Sequence, residues 1–86
     1  MSGKPASADT IQAWLVSKLS ERLEIEPRKI DPREPFASYG LGSTEAVSLT
    51  GELAEWLGRK LSPELIYKYP TIESLARYLA ESQDVS

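Results

Sequence analysis

Apolar residues recur at every fourth position near the start of the chain: Ile11, Leu15, Leu19 and Leu23, with Trp14 beside them, share one side of a helix. The spacing predicts a helix from Asp9 to about Glu24, with Asp9 and Gln12 as its start signal. Prolines at 27, 32 and 35 then bar any long helix, so the stretch Ile25 to Gly42 reads as a loop. Ile30, Phe36, Tyr39 and Leu41 are the side chains available to pin it down. A second helix is expected to open at Ser43 or Thr44 and to stop at Gly58, a residue suited to the left-handed conformation that closes helices. At about 100° per residue, Ala46, Val47, Thr50, Leu53, Ala54 and Leu57 cover one broad side. Leu49 and Trp56 fall at the edge of that side, and Glu45, Glu52 and Glu55 oppose it. Ser62 as a cap, Pro63 as the first helical residue and Glu64 near the positive end predict a short helix to about Tyr67, ended by Pro70. Thr71 caps a last helix whose Ile72, Leu75, Ala76 and Leu79 form another apolar stripe.

No segment alternates with the period of a strand, so the predicted fold class is all-α. Stripes this short are satisfied only around a shared core. The expected architecture is a small four-helix bundle, three principal helices plus a short third one, with a long loop between helices one and two. The small, polar ends, residues 1–8 and 82–86, are expected to be flexible tails flanking one domain over residues 9–81.

Composition narrows the chemistry. With 86 residues and 41% hydrophobic content, the chain has material for one modest core, which suits binding or carrying better than enclosing a substrate. Cysteine and histidine are both absent. That excludes disulfides and the usual zinc, copper and haem ligand sets, so no metal site is expected. It also removes the commonest base for a serine nucleophile, and a serine hydrolase would have to use a lysine such as Lys68 instead. The net charge of -3, with basic residues scattered in pairs such as Arg28-Lys29 and Arg59-Lys60, argues against nucleic acid. No apolar run approaches the roughly 20 residues of a membrane span and the N-terminus lacks a signal-peptide core, so no membrane partner and a cytoplasmic location are expected.

The stretch YGLGSTEAV, Tyr39 to Val47, carries the sharpest chemical signal. A dinucleotide fingerprint is excluded: no strand precedes it, and Glu45 stands where the last glycine would be. Ser43 could serve as the cap of helix two. Alternatively, the glycines before it leave its hydroxyl open to a partner enzyme. The helix start would then offer unpaired N–H donors and a positive dipole end to an attached phosphate. Such a serine is better placed to carry a phosphate-linked group than to attack a substrate. Trp14 and Trp56 are expected to pack at the boundary of the core. Trp56 is also a surface against which an acyl chain could lie.

FASYGLGSTEAVSL, followed by ELAEWLGRKLSPELIYKYPTIESLARYLA, resembles the acyl carrier protein domain of polyketide synthases over residues 9–81. YPTIESLA, Tyr69 to Ala76, is similar to that family's loop into helix four. The resemblance implies that Ser43 takes the place of the serine in an Asp-Ser-Leu motif at the start of helix two. That serine is modified with 4'-phosphopantetheine from coenzyme A, whose thiol holds acyl intermediates as thioesters. Gly42 stands where the family usually has aspartate, which helps recognition by the modifying transferase. Thr44 stands where a leucine or other large apolar residue is usual. Partner recognition in the family uses the exposed side of helix two, and the matching positions are Thr44, Glu45, Ser48, Gly51 and Glu55.

The implied partners are a phosphopantetheinyl transferase, an acyl-loading enzyme, and a ketosynthase with other synthase domains. The loading enzyme would be an acyltransferase or a fatty-acyl adenylating enzyme, because EWLGRKLSP, Glu55 to Pro63, looks like carriers loaded by the latter. The isolated domain is expected to be a monomer without catalytic activity. A peptidyl carrier of nonribosomal peptide synthesis is the nearest alternative. Those tend to show Gly-Gly-His/Asp-Ser, and Tyr39-Gly40-Leu41-Gly42 fits the polyketide form better. A different kind of alternative is an unmodified helical docking module that works through its acidic face.

Overall fold

A computed structural model describes residues 7–82, with four helices: α1 (Ala8–Leu23), α2 (Ser43–Leu57), α3 (Leu65–Lys68) and α4 (Ile72–Ser82). The chain is all-α, with no strand among the described residues. Of the expected tails, residues 1–6 and 83–86 lie outside the described residues. Helix α1 starts one residue before the expected Asp9. Its cap is Ser7, whose hydroxyl accepts the Thr10 N–H at 3.2 Å, a job for which Asp9 sits too far into the first turn. It closes on Glu24 in the left-handed conformation (φ 57°), where the Glu24 and Ile25 N–H groups both return to the Ser20 carbonyl.

Ile11, Leu15 and Leu19 of α1 meet Leu49 and Leu53 of α2 and Ile72, Leu75 and Leu79 of α4 in the core, all buried. Each such side chain contributes about 1.5–3 kcal/mol of burial, so this cluster supplies the main driving force. The backbones of α1 and α4 approach most closely. Helix α2 joins them through longer side chains: Leu15, Leu49, Leu53, Leu61, Leu65 and Leu75 surround a space too narrow for water. The one buried polar side chain among the described residues, Thr50, donates its hydroxyl to the Ala46 carbonyl at 2.7 Å, so it costs no unpaired group.

Leu49 is fully buried, whereas Val47 is 53% exposed, which corrects the expected edge and face of α2. Turning the face toward Leu49 buries one more methylene than Val47 would offer, about 0.8 kcal/mol, and two methylenes and a methyl more than Ala54. The short helix α3 is also trimmed. Ser62 accepts the Glu64 N–H at 3.2 Å, but Pro63 and Glu64 form a turn and the helix proper runs only Leu65–Lys68. Thr71 caps α4 through its hydroxyl on the Ser74 N–H, and the Ser74 hydroxyl returns to the Thr71 carbonyl.

The connection from α1 to α2 is ordered by its own bonds. Two short 3₁₀ turns, Pro27–Lys29 and Phe36–Tyr39, fold it, and Ile30 and Phe36 bury themselves in the core. The Tyr39 hydroxyl accepts the Asp31 N–H at 2.7 Å and donates to the Asp31 carbonyl at 3.0 Å. Main-chain bonds then strap the loop to the base of α4: Phe36 N–H to the Pro70 carbonyl at 2.7 Å, and Glu73 N–H to the Pro32 carbonyl at 2.9 Å. The second bond satisfies one of the donors that a helix start leaves open.

Candidate functional site

Gly40 ends the second 3₁₀ turn at φ 75°, a left-handed conformation that glycine takes without a Cβ penalty. Two residues later the chain enters α2. Gly42 is the N-cap, extended at φ -84° and ψ 176°, with its carbonyl accepting the Ala46 N–H at 2.8 Å. Ser43 is therefore the first residue inside the helix and not its cap, which corrects the capping alternative. Glycine has no side chain to cap with. The tip is held only from the other direction, by the Glu45 carboxylate accepting the Gly42 N–H at 3.4 Å.

The consequence for Ser43 is chemical freedom. Its side chain is exposed, and its hydroxyl makes no hydrogen bond among the described residues. The N–H groups of Ser43, Thr44 and Glu45 precede the first intrahelical bond and have no carbonyl of their own. A serine-linked phosphodiester fits this tip: the three donors and the positive end of a 15-residue helix favour its charge, by about 0.3–1 kcal/mol for an exposed anion. Glu45, whose carboxylate sits at the same tip well within a Debye length, offsets part of that gain. Among the described residues no basic side chain hydrogen-bonds the hydroxyl.

Thr44, Ser48, Gly51 and Glu55 recur at steps of three and four and form one exposed strip leading away from Ser43, with Glu45 exposed beside it. Ser48 is not free within that strip, because Arg22 of α1 donates to its hydroxyl at 2.8 Å and also to Glu52. Val47, one turn beyond Ser43, is an exposed apolar residue at the same end that periodicity assigned to the core. Weighting the stripe by side-chain size would have found it.

On the flank facing α1, Glu52 differs from Glu45 and Glu55 in being held in ion pairs. Glu52 is bound by Arg22 and, at 3.6 Å, by Lys18, while Trp14 and Trp56 stack with centroids 5.1 Å apart and planes 11° from parallel. Trp56 lies thirteen residues beyond Ser43, about 20 Å along the axis and on the opposite flank, which separates it from the serine. Among the described residues no group of acids is placed to hold a metal ion, and no helix is long and apolar enough to cross a membrane.

Comparison with known proteins places the chain in a family. The family model described as "Phosphopantetheine attachment site" matches residues 13–79. The chain is 39% identical over 80 residues to a phenolphthiocerol/phthiocerol polyketide synthase of Mycobacterium tuberculosis, covering 93% of this chain but only 4% of that protein. It is 34% identical to the acyl carrier protein TtuC of Teredinibacter turnerae, covering 86% of this chain and 85% of that one. A solved acyl carrier protein from Anabaena sp. PCC 7120 with a variant phosphopantetheinylation-site sequence superposes with a TM-score of 0.86 at 42% identity, covering 96% of this chain and 94% of that chain. A free-standing peptidyl carrier protein from Acinetobacter baumannii superposes at 0.83 with 36% identity, over 88% of this chain and 95% of that chain.

Proposed function

The chain belongs to the phosphopantetheine attachment-site family and is a carrier domain of it, and on that premise we propose that Ser43 is the residue that bears its 4'-phosphopantetheine. The observation that carries this reading is an exposed hydroxyl with no hydrogen bond among the described residues, held on the first residue of α2 beside N–H groups that precede the first intrahelical bond. In the modification the Ser43 oxygen bonds to the phosphorus of coenzyme A, the pyrophosphate P–O bond breaks, adenosine 3',5'-bisphosphate leaves, and the serine proton passes to a base of the transferase. The chain supplies the acceptor and the electropositive tip. The transferase supplies the base, since histidine is absent from the chain. Once attached, the group supplies a terminal thiol that holds acyl cargo as a thioester.

The domain works without catalysis of its own, and Thr44, Glu45, Ser48, Gly51 and Glu55 form the surface that a transferase, an acyl-loading enzyme and a ketosynthase read. Exposure of all five supports this, as does the match to a polyketide synthase. The loading enzyme is an acyltransferase or a fatty-acyl adenylating enzyme. We place the domain in the cytoplasm, where coenzyme A is available. Incubation with coenzyme A and a broad-specificity transferase, followed by intact mass measurement, is expected to show one 4'-phosphopantetheinyl addition that Ser43→Ala removes. An unchanged mass beside a labelled control carrier would favour the unmodified docking module. The likeness to a peptidyl carrier protein favours a second reading of the cargo, an aminoacyl group. Loading the modified protein with fatty-acyl and with aminoacyl adenylating enzymes separates the two.

A further inference from the structure

Glu45 reaches back one turn to accept the Gly42 N–H at 3.4 Å, beside the serine that receives the arm. The bond is exposed and longer than the roughly 2.7–3.2 Å of a strong N–H donor bond. Among the described residues nothing else holds this carboxylate, since Lys18 and Arg22 pair with Glu52 and Arg28 pairs with Glu26. Glu45 is lightly held, with solvent to turn into. Gly42 does not shield the contact either: it has no side chain, and no atom lies within 4 Å of where its Cβ would sit.

We propose that this contact is a latch on the state of Ser43: joining a phosphodiester to the serine releases Glu45 from Gly42, so that modification changes the surface of α2 as well as adding an arm. The latch rests on the reading of Ser43 as the attachment residue. A phosphodiester there adds one negative charge on the residue next to Gly42, well within the Debye length of about 8 Å at physiological salt, so ions do not screen the two anions from each other. Both draw on one set of donors, the N–H groups of residues 42–45 at the start of α2. One anion is bonded to the chain at the tip, whereas the other sits on a side chain free to rotate. The carboxylate yields. No cation among the described residues pairs with Glu45 to offset the added charge. An enzyme meeting the domain therefore finds Glu45 folded onto the tip before modification and extended from it afterwards.

The ¹⁵N-labelled full chain is prepared before and after treatment with coenzyme A and a broad-specificity transferase, each with and without Glu45→Ala, and the Gly42 amide is followed by chemical shift and solvent exchange. Before treatment, Glu45→Ala is expected to move the resonance and to speed its exchange about threefold. After treatment, the same substitution is expected to leave the amide unchanged, because the carboxylate has already gone. Ser43→Asp places a single fixed charge at the tip without any transferase, and it should erase the Glu45→Ala effect in the same way. Intact mass keeps the two readings apart: a chain that gains no mass refutes attachment at Ser43, while the Ser43→Asp comparison still decides the latch. An equal Glu45→Ala effect with and without the charge at position 43, or no effect in the untreated chain, would overturn the proposal.

Discussion

Trp14 and Trp56 stack face to face across α1 and α2, and their partnership sets the register of the two helices. Four residues further along α1, Lys18 meets Glu52, four residues back along α2; four more, and Arg22 meets Ser48. Each step up one helix matches a step down the other, so an aromatic rung, an ionic rung and a hydrogen-bonded rung run side by side outside the core. The geometry is antiparallel, with every rung at the i, i+4 spacing of neighbours on a helix surface.

The aromatic rung should be measurable. A double-mutant cycle with Trp14→Ala and Trp56→Ala, read by urea denaturation, is expected to give a coupling of about 0.5–1.5 kcal/mol. The Arg22–Glu52 pair is partly exposed and should couple by only about 0.2–1 kcal/mol, less at high salt. Additive tryptophan variants would remove the stack from the list of stabilising contacts.

Ser43→Ala is expected to abolish phosphopantetheinylation while changing unfolding free energy by less than about 0.5 kcal/mol, because the lost hydroxyl neither caps α2 nor bonds another group. A cost of about 1 kcal/mol or more, the loss typical of a removed cap, would show that the hydroxyl does cap.

Gly42 has room for a side chain: its φ is negative and nothing lies within 4 Å of where a Cβ would sit. Gly42→Asp should therefore fold and gain a few tenths of a kcal/mol as a charged cap. Labelling by a transferase that reads the family's aspartate should become faster. A slower rate in a folded variant would mean that the glycine itself is what the transferase recognises.

Glu24 closes α1 in the left-handed region, which costs a residue with a Cβ about 1–2 kcal/mol. Glu24→Gly removes that strain but adds freedom to the unfolded chain, worth about 0.4–1 kcal/mol in the other direction. The expected result is a net gain of up to about 1.6 kcal/mol, seen as a higher urea midpoint at unchanged slope.

Tyr39→Phe deletes both hydrogen bonds to the Asp31 backbone. The expected cost is about 1 kcal/mol, with faster hydrogen exchange confined to the loop before α2. A uniform change across all four helices would place Tyr39 in the global core instead.

The stripes of α1 and α4 were legible because leucine and isoleucine dominate them and repeat without interruption, and the caps at Gly58 and Thr71 were legible for equally local reasons. On α2 the rotation of the buried face escaped the pattern, since Leu49 and Val47 count alike when residues are only sorted as apolar. The cap of α2 escaped it too: serine is a strong capping residue and Gly42 a weak one, yet the turn that ends at Gly40 decides where helical dihedrals begin. Likewise, the rungs between α1 and α2 depend on which two helices become neighbours. The repeated fourfold spacing of Trp14, Lys18 and Arg22 against Ser48, Glu52 and Trp56 was present in the chain, but only the fold says that the two series face each other.

The strap between the loop and the base of α4 is made of peptide groups, Phe36 to Pro70 and Glu73 to Pro32. Such bonds are indifferent to what the neighbouring side chains are. Arg33, Glu34, Ala37 and Ser38 all point into solvent along the strapped path, so their identities can be rewritten while the route of the chain is retained. Natural drift or a protein engineer could repaint this shoulder at the base of α4 without rebuilding the bundle beneath it.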